Sequence, residues 1–151
     1  MTRSRKILHL DDDQQLLDLV RTRLKPLGYE VISLSDPDQL VARLLETNAQ
    51  VVLLDINMPN TDGLNLLREI KRHNGGIQVI MLTGMVSMMT LLRSMRWGAE
   101  ACVFKPIKDF ALLESAVSDS FQKLDRWWNA LEQLKAMKAV EESTNESAAC
   151  N

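Results

Sequence analysis

Apolar residues along this chain follow two alternating rhythms. Five short runs dominated by apolar residues, Ile7–Leu10, Val31–Leu34, Val51–Leu54, Ile77–Leu82 and Ala101–Phe104, are each followed by a longer stretch with apolar residues every three or four positions. Short runs without strict polar alternation suit strands covered on both faces, as in a parallel sheet, and the longer period predicts amphipathic helices. Leu16, Leu17, Val20 and Leu24 mark the first helix, Leu40, Val41, Leu44 and Leu45 the second, Leu64, Leu67 and Ile70 the third, and Met85 to Trp97 the fourth. The punctuation agrees. Asp13 is placed to cap the first helix, Pro26 and Gly28 to end it, Asp36-Pro37 to open the second, Asn74-Gly75-Gly76 to close the third through αL residues, and Gly98 to close the fourth. Five strand–helix units with short links predict an α/β fold, a doubly wound five-stranded parallel sheet with helices on both faces.

From Asp109 the helical pattern runs unusually far. Val117, Leu124, Trp127, Leu131 and Leu134 continue a seven-residue repeat past anything a five-stranded domain needs to cover. A domain over residues 5–124 is therefore expected to carry a helical extension over 125–140. That extension reads as a homodimer contact or a linker to an output domain, with Trp127 and Trp128 as partner surface because two tryptophans are costly to leave in water. Residues 141–151 are polar and read as a disordered tail. In the methionine-rich fourth helix, Met88, Leu91, Leu92 and Met95 share a face predicted to be core, which leaves Met85 and Met89 for a partner.

Composition narrows the class. At 151 residues the chain has room for one well-buried domain and an appendage. Its net charge is only −2 and no basic run appears, so the footprint of a nucleic-acid binder is missing from these residues. Cys102 sits in an apolar segment and Cys150 in the polar tail, which fits neither a disulfide framework nor a zinc site and is compatible with a reducing cytoplasm. The opening M-T-R-S-R-K leads into an apolar run that meets acids at once, so neither a signal peptide nor a membrane span is expected.

Chemistry collects at the strand ends. In an open α/β sheet the carboxyl ends of the strands line the ligand crevice, and here they deliver Asp11 and Asp12, Asp55, Thr83, and Lys105 just beyond the fifth strand. Asp55 alone reads equally well as a cap. Three carboxylates at one rim, however, stay ionised together only if cations share the space. Oxygen ligands without paired His or Cys favour a hard ion such as Mg²⁺, and Lys105 offers a second positive charge. A carboxylate is a nucleophile in aspartyl-phosphate chemistry, and the Thr83 hydroxyl can donate to a phosphoryl oxygen. His9, alone in the first strand, reads as a core residue with a satisfied ring.

As a set, D-D after the first strand, D-I-N-M-P at the third, T-G at the fourth and K-P after the fifth resemble, in order and spacing, the receiver domain of two-component response regulators. The resemblance implies a sheet order of 2-1-3-4-5 and a regulatory switch rather than an enzyme acting on an external substrate. It implies that Asp55 accepts a phosphoryl group from a sensor histidine kinase or phosphotransfer protein, or more slowly from small phosphodonors. Asp12 and Asp55 would bind Mg²⁺ directly, Asp11 chiefly through water and Asn57 through its backbone carbonyl. Thr83 and Lys105 would hold the phosphoryl oxygens, and the Lys105-Pro106 bond would be cis. One position departs from the pattern: Cys102, three before Lys105, stands where the family has Tyr or Phe. The usual coupling of the threonine to an aromatic switch cannot operate as such. Cys102 then reads as a small, passive core residue, with Phe104 or Trp97 as substitute rings in the alternative.

Other classes fit less well. Aspartyl-phosphate hydrolases commonly place a second Asp two residues after the nucleophile, where this chain has Asn57. A flavodoxin-like FMN binder needs a phosphate loop after the first strand, where acids stand here. A receiver-like module working without phosphate has no need of the full acidic, hydroxyl and amine set.

Overall fold

The computed structural model describes residues 3–84 and 87–149. Along the chain these are β1 (Lys6–Leu10), α1 (Gln14–Leu24), β2 (Glu30–Leu34), α2 (Leu40–Thr47), β3 (Val51–Leu54), α3 (Gly63–His73), β4 (Gln78–Thr83), α4 (Met88–Arg96), β5 (Ala101–Phe104) and α5 (Phe110–Ala149). The sheet is parallel throughout, in the order β2-β1-β3-β4-β5. Every residue of β3 and β4 is buried, as their apolar runs require. Register sets Leu10 opposite Leu54 and Leu54 opposite Met81, so the polar residues that follow these strands emerge along one edge. The amides of Asp11 and Asp55 extend the ladder one step further, donating to Leu34 O and Leu10 O at 3.1 Å each.

Alternation along the strands divides the interior. Leu8, Leu10, Val52, Leu54, Val79 and Met81 join α2 and α3 residues such as Leu40, Leu67 and Ile70 in one core cluster. Ile7 and His9 fall on the opposite face of β1. The helix starts follow their caps: Asp13 accepts from the amides of Gln15 and Leu16, and Asp62 from those of Leu64 and Asn65. Asp36 caps a single 3₁₀ turn that leads into α2. Gly28 and Gly98 hold the left-handed conformations expected of them, at φ 92° and 97°. The end of α3 differs from the αL closure predicted. Asn74 is extended (φ −155°, ψ 105°), and its side-chain oxygen accepts from the Gly76 amide at 2.9 Å, so an Asx turn does the work.

Helix α4 reverses an expectation. Met88, Leu92 and Met95, predicted as core, are exposed along with Met89, while Ser94 is buried and Thr90, Leu91 and Trp97 are half-buried. Small polar residues do the packing there because their hydroxyls need no external partner: Ser94 Oγ donates to Thr90 O at 2.9 Å within the helix. Trp97 packs against the core cluster with the Arg68 guanidinium 4.8 Å over its ring. Met85 lies outside the described residues.

The chain divides into two compact units, residues 1–120 and 121–151. In the second unit α5 continues to Ala149, through most of the polar stretch that follows residue 140. Between residues 107 and 149 there is neither Gly nor Pro to stop a helix, and the polar end is rich in Glu and Ala, which propagate one. On that helix Trp127 is 71 % exposed and Trp128 half-buried. Among the described residues no helix is long and apolar enough to cross a membrane.

Gly63, the first residue of α3, has no room for a side chain. A Cβ there would sit 2.3 Å from the Ile56 Cα, in the loop that follows Asp55. Gly63→Ala is therefore expected to lower stability by about 3 kcal/mol, the upper part of the overpacking range, because the obstacle is backbone. Urea denaturation of the variant measures it, and an unchanged midpoint would mean the loop yields freely.

Candidate functional site

The strand ends meet as the sequence requires. Asp11, Asp12 and Asp55 each bring a carboxylate oxygen within 4.8 Å of the others, with Asp11 and Asp55 buried and Asp12 exposed. Lys105 reaches in from beyond β5, its Nζ 2.7 Å from Asp11 Oδ2 and 3.2 Å from Asp55 Oδ2. Its backbone is fixed by its amide, which donates to Thr83 O at 2.8 Å, and its bond to Pro106 is cis. Each buried carboxylate also spends one oxygen on a nearby amide: Asp11 Oδ1 accepts from Asp13 N and Asp55 Oδ1 from Asn57 N, both at 2.9 Å. The second oxygen of each is left for the pocket.

Charge in this cluster is unevenly held. Burial pushes the Asp55 carboxyl above its ordinary value, and the nearby charge of Asp11 adds to this; the Asn57 amide and Lys105 oppose it without prevailing. Burial acts on Asp11 as well, but there the His9 imidazole, the Lys105 ammonium and the Asp13 amide outweigh it and hold the carboxyl far below the usual range. Lys105 is pushed down by burial and pulled up more strongly by its two carboxylates, ending above its ordinary value. The cluster holds one firm ion pair, Lys105–Asp11, beside a carboxylate that burial makes reluctant to ionise.

That arrangement fits a hard divalent cation. The three carboxylates converge on one point, the donor atoms are all oxygen, and Asp11 Oδ2 is buried without a directed hydrogen bond. Thr83 is wholly buried at the end of β4. Beyond the backbone carbonyl that the motif implies as a ligand, the Asn57 side chain is engaged as well, with Nδ2 donating to Thr83 Oγ1 at 2.9 Å. An amide two residues past the strand-end acid was the available signal, but its partner is 26 positions away and only the fold pairs them.

Comparison with known proteins decides the family. The model of the response regulator receiver domain matches residues 7–117. The chain belongs to this receiver family. It is 34% identical over 110 residues to the C4-dicarboxylate transport transcriptional regulatory protein DctD of Pseudomonas aeruginosa, covering 73% of this chain and 24% of that one. It is 27% identical over 121 residues to ycf27 of Porphyridium aerugineum, a probable transcriptional regulator, covering 80% of this chain and 50% of the other. The chain thus spans half or less of the length of these curated relatives. A CheY-like receiver domain protein from Methanospirillum hungatei JF-1 superposes with a TM-score of 0.74 at 28% identity, covering 82% of this chain and 99% of that one.

His9 is wholly buried as expected, but its ring is not satisfied: among the described residues neither nitrogen has a hydrogen-bond partner. Cys102 packs at the edge of the core cluster, half-buried, and burial raises its thiol above the ordinary value, so no thiolate is favoured. Beside it, Phe104, Ile107 and Leu112 line an open recess of about 430 Å³. Phe104 itself is 51 % exposed.

Proposed function

We propose that this receiver accepts a phosphoryl group on Asp55 and reports it to a partner. What supports the reading is the geometry of one cation between two carboxylates. Lys105 keeps Asp55 beside a fixed positive charge, and the Asn57 amide orients the carboxylate by holding Oδ1. In the reaction the free oxygen of Asp55 attacks phosphorus. The bond from phosphorus to the donor imidazole nitrogen, or to the acetate oxygen of acetyl phosphate, breaks, and the electron pair leaves with that group. Asp12, Asp55 and the Asn57 carbonyl would hold Mg²⁺ directly and Asp11 chiefly through water, and the bound ion would supply neutralisation of the phosphoryl oxygens. Lys105 turns toward those oxygens, and Thr83 leaves its contact with Asn57 to donate to another of them. With Cys102 passive, α4 would respond to the Thr83 movement by a route other than an aromatic relay.

The expected setting is the cytoplasm, and the expected partners are a sensor histidine kinase or phosphotransfer protein, and an output domain or separate effector. Exposed Met89 with its neighbours on α4 is the surface assigned to a partner, and Trp127 on α5 to a second copy of this chain, with half-buried Trp128 contributing less than the sequence implied. Trp127, Leu131 and Leu134 recur at heptad spacing and are all exposed. Sedimentation of the full chain against a Trp127→Ser, Leu134→Ser double variant tests this, with a dimer expected for the parent and a monomer for the variant. Equal masses remove the dimer reading.

The phosphoacceptor reading is tested by intact-mass and peptide mass spectrometry after incubation with MgCl₂ and acetyl phosphate. One phosphoryl group is expected, carried on the peptide that contains Asp55. No incorporation, or a label elsewhere, counts against it.

A further inference from the structure

His9 and Asp11 are two residues apart on an extended chain, so both side chains leave the same face of the sheet, and both are wholly buried. His9 Nε2 lies 3.8 Å from Asp11 Oδ2, too far for a hydrogen bond. Among the described residues, both ring nitrogens of His9 and Asp11 Oδ2 lack a hydrogen-bond partner. Behind His9, Ser33 is its register partner across β1 and β2, and the buried Ser33 hydroxyl is unpartnered too. Buried polar groups are nearly always satisfied, so the His9 ring and the Ser33 hydroxyl, lying beside an Asp11 oxygen held only by an ion pair, are groups placed to pair with one another.

Lys105 identifies the state in which they do. It is the cation at Asp11 Oδ2, at 2.7 Å, but in an ion pair rather than along a hydrogen-bond direction, and it is shared with Asp55 at 3.2 Å. A phosphoryl group on Asp55 brings further anionic oxygens within reach of the same ammonium. As Lys105 turns to them, Asp11 Oδ2 gives up its ammonium while remaining buried, and beyond the lone pair that faces the metal water it has a second one open toward His9. An approach of about 1 Å by the imidazole would replace the ammonium with a directed hydrogen bond.

We propose that His9 is a positioning residue for Asp11: with its proton on Nε2 and Nδ1 accepting from the Ser33 hydroxyl, it donates to Asp11 Oδ2 when Lys105 moves to the phosphoryl group. The inference rests on the phosphoacceptor reading of Asp55. No proton changes hands in this step; the imidazole holds the carboxylate in its orientation while the lysine serves the reaction. Partners behind a metal ligand commonly act in this way. An aliphatic residue would fill the same space and leave the Asp11 oxygen unpaired.

The test uses the full chain. Imidazole nitrogen NMR is recorded without metal and again after Mg²⁺ and beryllofluoride, which mimics the phosphoryl group. A single Nε2–H tautomer is expected, with its proton resonance moving downfield on loading. His9→Leu is expected to slow Mg²⁺-dependent phosphorylation by acetyl phosphate about ten- to hundred-fold, and His9→Gln, whose amide can still donate, to recover most of the loss. An Nδ1–H tautomer, a ring unmoved by beryllofluoride, or wild-type rates for His9→Leu would overturn the assignment. If His9→Leu does not fold, the spectra of the unsubstituted chain decide. A parent chain that takes up neither phosphoryl group nor beryllofluoride overturns the Asp55 reading itself, whereas a parent that loads with an unmoved ring overturns only the role of His9.

Discussion

Asp55→Asn is expected to take phosphoryl incorporation to zero while making the metal-free fold more stable. The two effects share one cause. Asp55 is 2 % exposed, and burial raises its carboxyl above the ordinary value. Between the unfolded value, about 3.9, and the raised folded value, the native chain binds more protons than the unfolded one. Stability therefore falls as pH rises through that window and stays reduced at neutral pH. An amide of the same shape carries no charge to bury and can still accept from the Asn57 amide through its oxygen. The gain at neutral pH in EDTA should be about 1–3 kcal/mol, the scale of relieving one poorly compensated buried charge. Mg²⁺ should then reverse the order, because an ion bound only by the native state stabilises the parent by about 2.7 kcal/mol at a hundred times its Kd. Denaturation of both proteins at pH 4.5 and 7.5, with and without MgCl₂, measures this. A variant less stable than the parent in EDTA would mean that Asp55 is held ionised at little cost.

The same residues show which parts of the molecule are legible in a sequence. Strands β3 and β5 occupy the positions that their apolar runs mark, Val51–Leu54 and Ala101–Phe104, because a short run bounded by turn residues has few alternative pairings. The rim follows from the strands: once five parallel strands are placed, Asp11, Asp55, Thr83 and Lys105 have to share an edge. Periodicity is blind to which apolar stripe faces inward, and α4 demonstrates it. Met88, Leu92 and Met95 form the more apolar face, yet the buried position is Ser94, whose self-satisfied hydroxyl no hydrophobicity pattern rewards. The length of α5 was obscured in a related way. A polar composition argues against a packed core, but a helix end without Gly or Pro needs no core to persist in its conformation. Pairings across long sequence separations, such as Asn57 with Thr83 or His9 with Ser33, exist only after the register is known.

Lys105→Met is expected to separate phosphoryl transfer from metal binding. The ammonium touches both buried carboxylates, and among the described residues no other lysine or arginine pairs with Asp11. Removing one partner of such a pair leaves an uncompensated charge, which costs about 3 kcal/mol here, the lower end of the range because the Lys105 side chain remains 21% exposed. The pH dependence distinguishes this from a packing effect. Asp11 is lowered in the fold, so its contribution is complete above about pH 4 and is lost as pH falls further; Lys105 is raised, so its contribution is complete below about pH 10 and is lost above. The parent should therefore show a stability plateau between those limits, and the variant should lose the alkaline limb along with its height. Mg²⁺ should restore much of the deficit, since a divalent ion neutralises the same oxygens without an ammonium competing for them. Its affinity, measured calorimetrically, is expected to be unchanged or higher. Phosphorylation by acetyl phosphate should nonetheless fall by about 10² to 10³, the usual consequence of removing a fixed positive group aimed at developing negative charge. A variant that loses Mg²⁺ affinity and phosphorylation in parallel would show that Lys105 only holds the carboxylates in place, and that it has no part in steadying the transferred group.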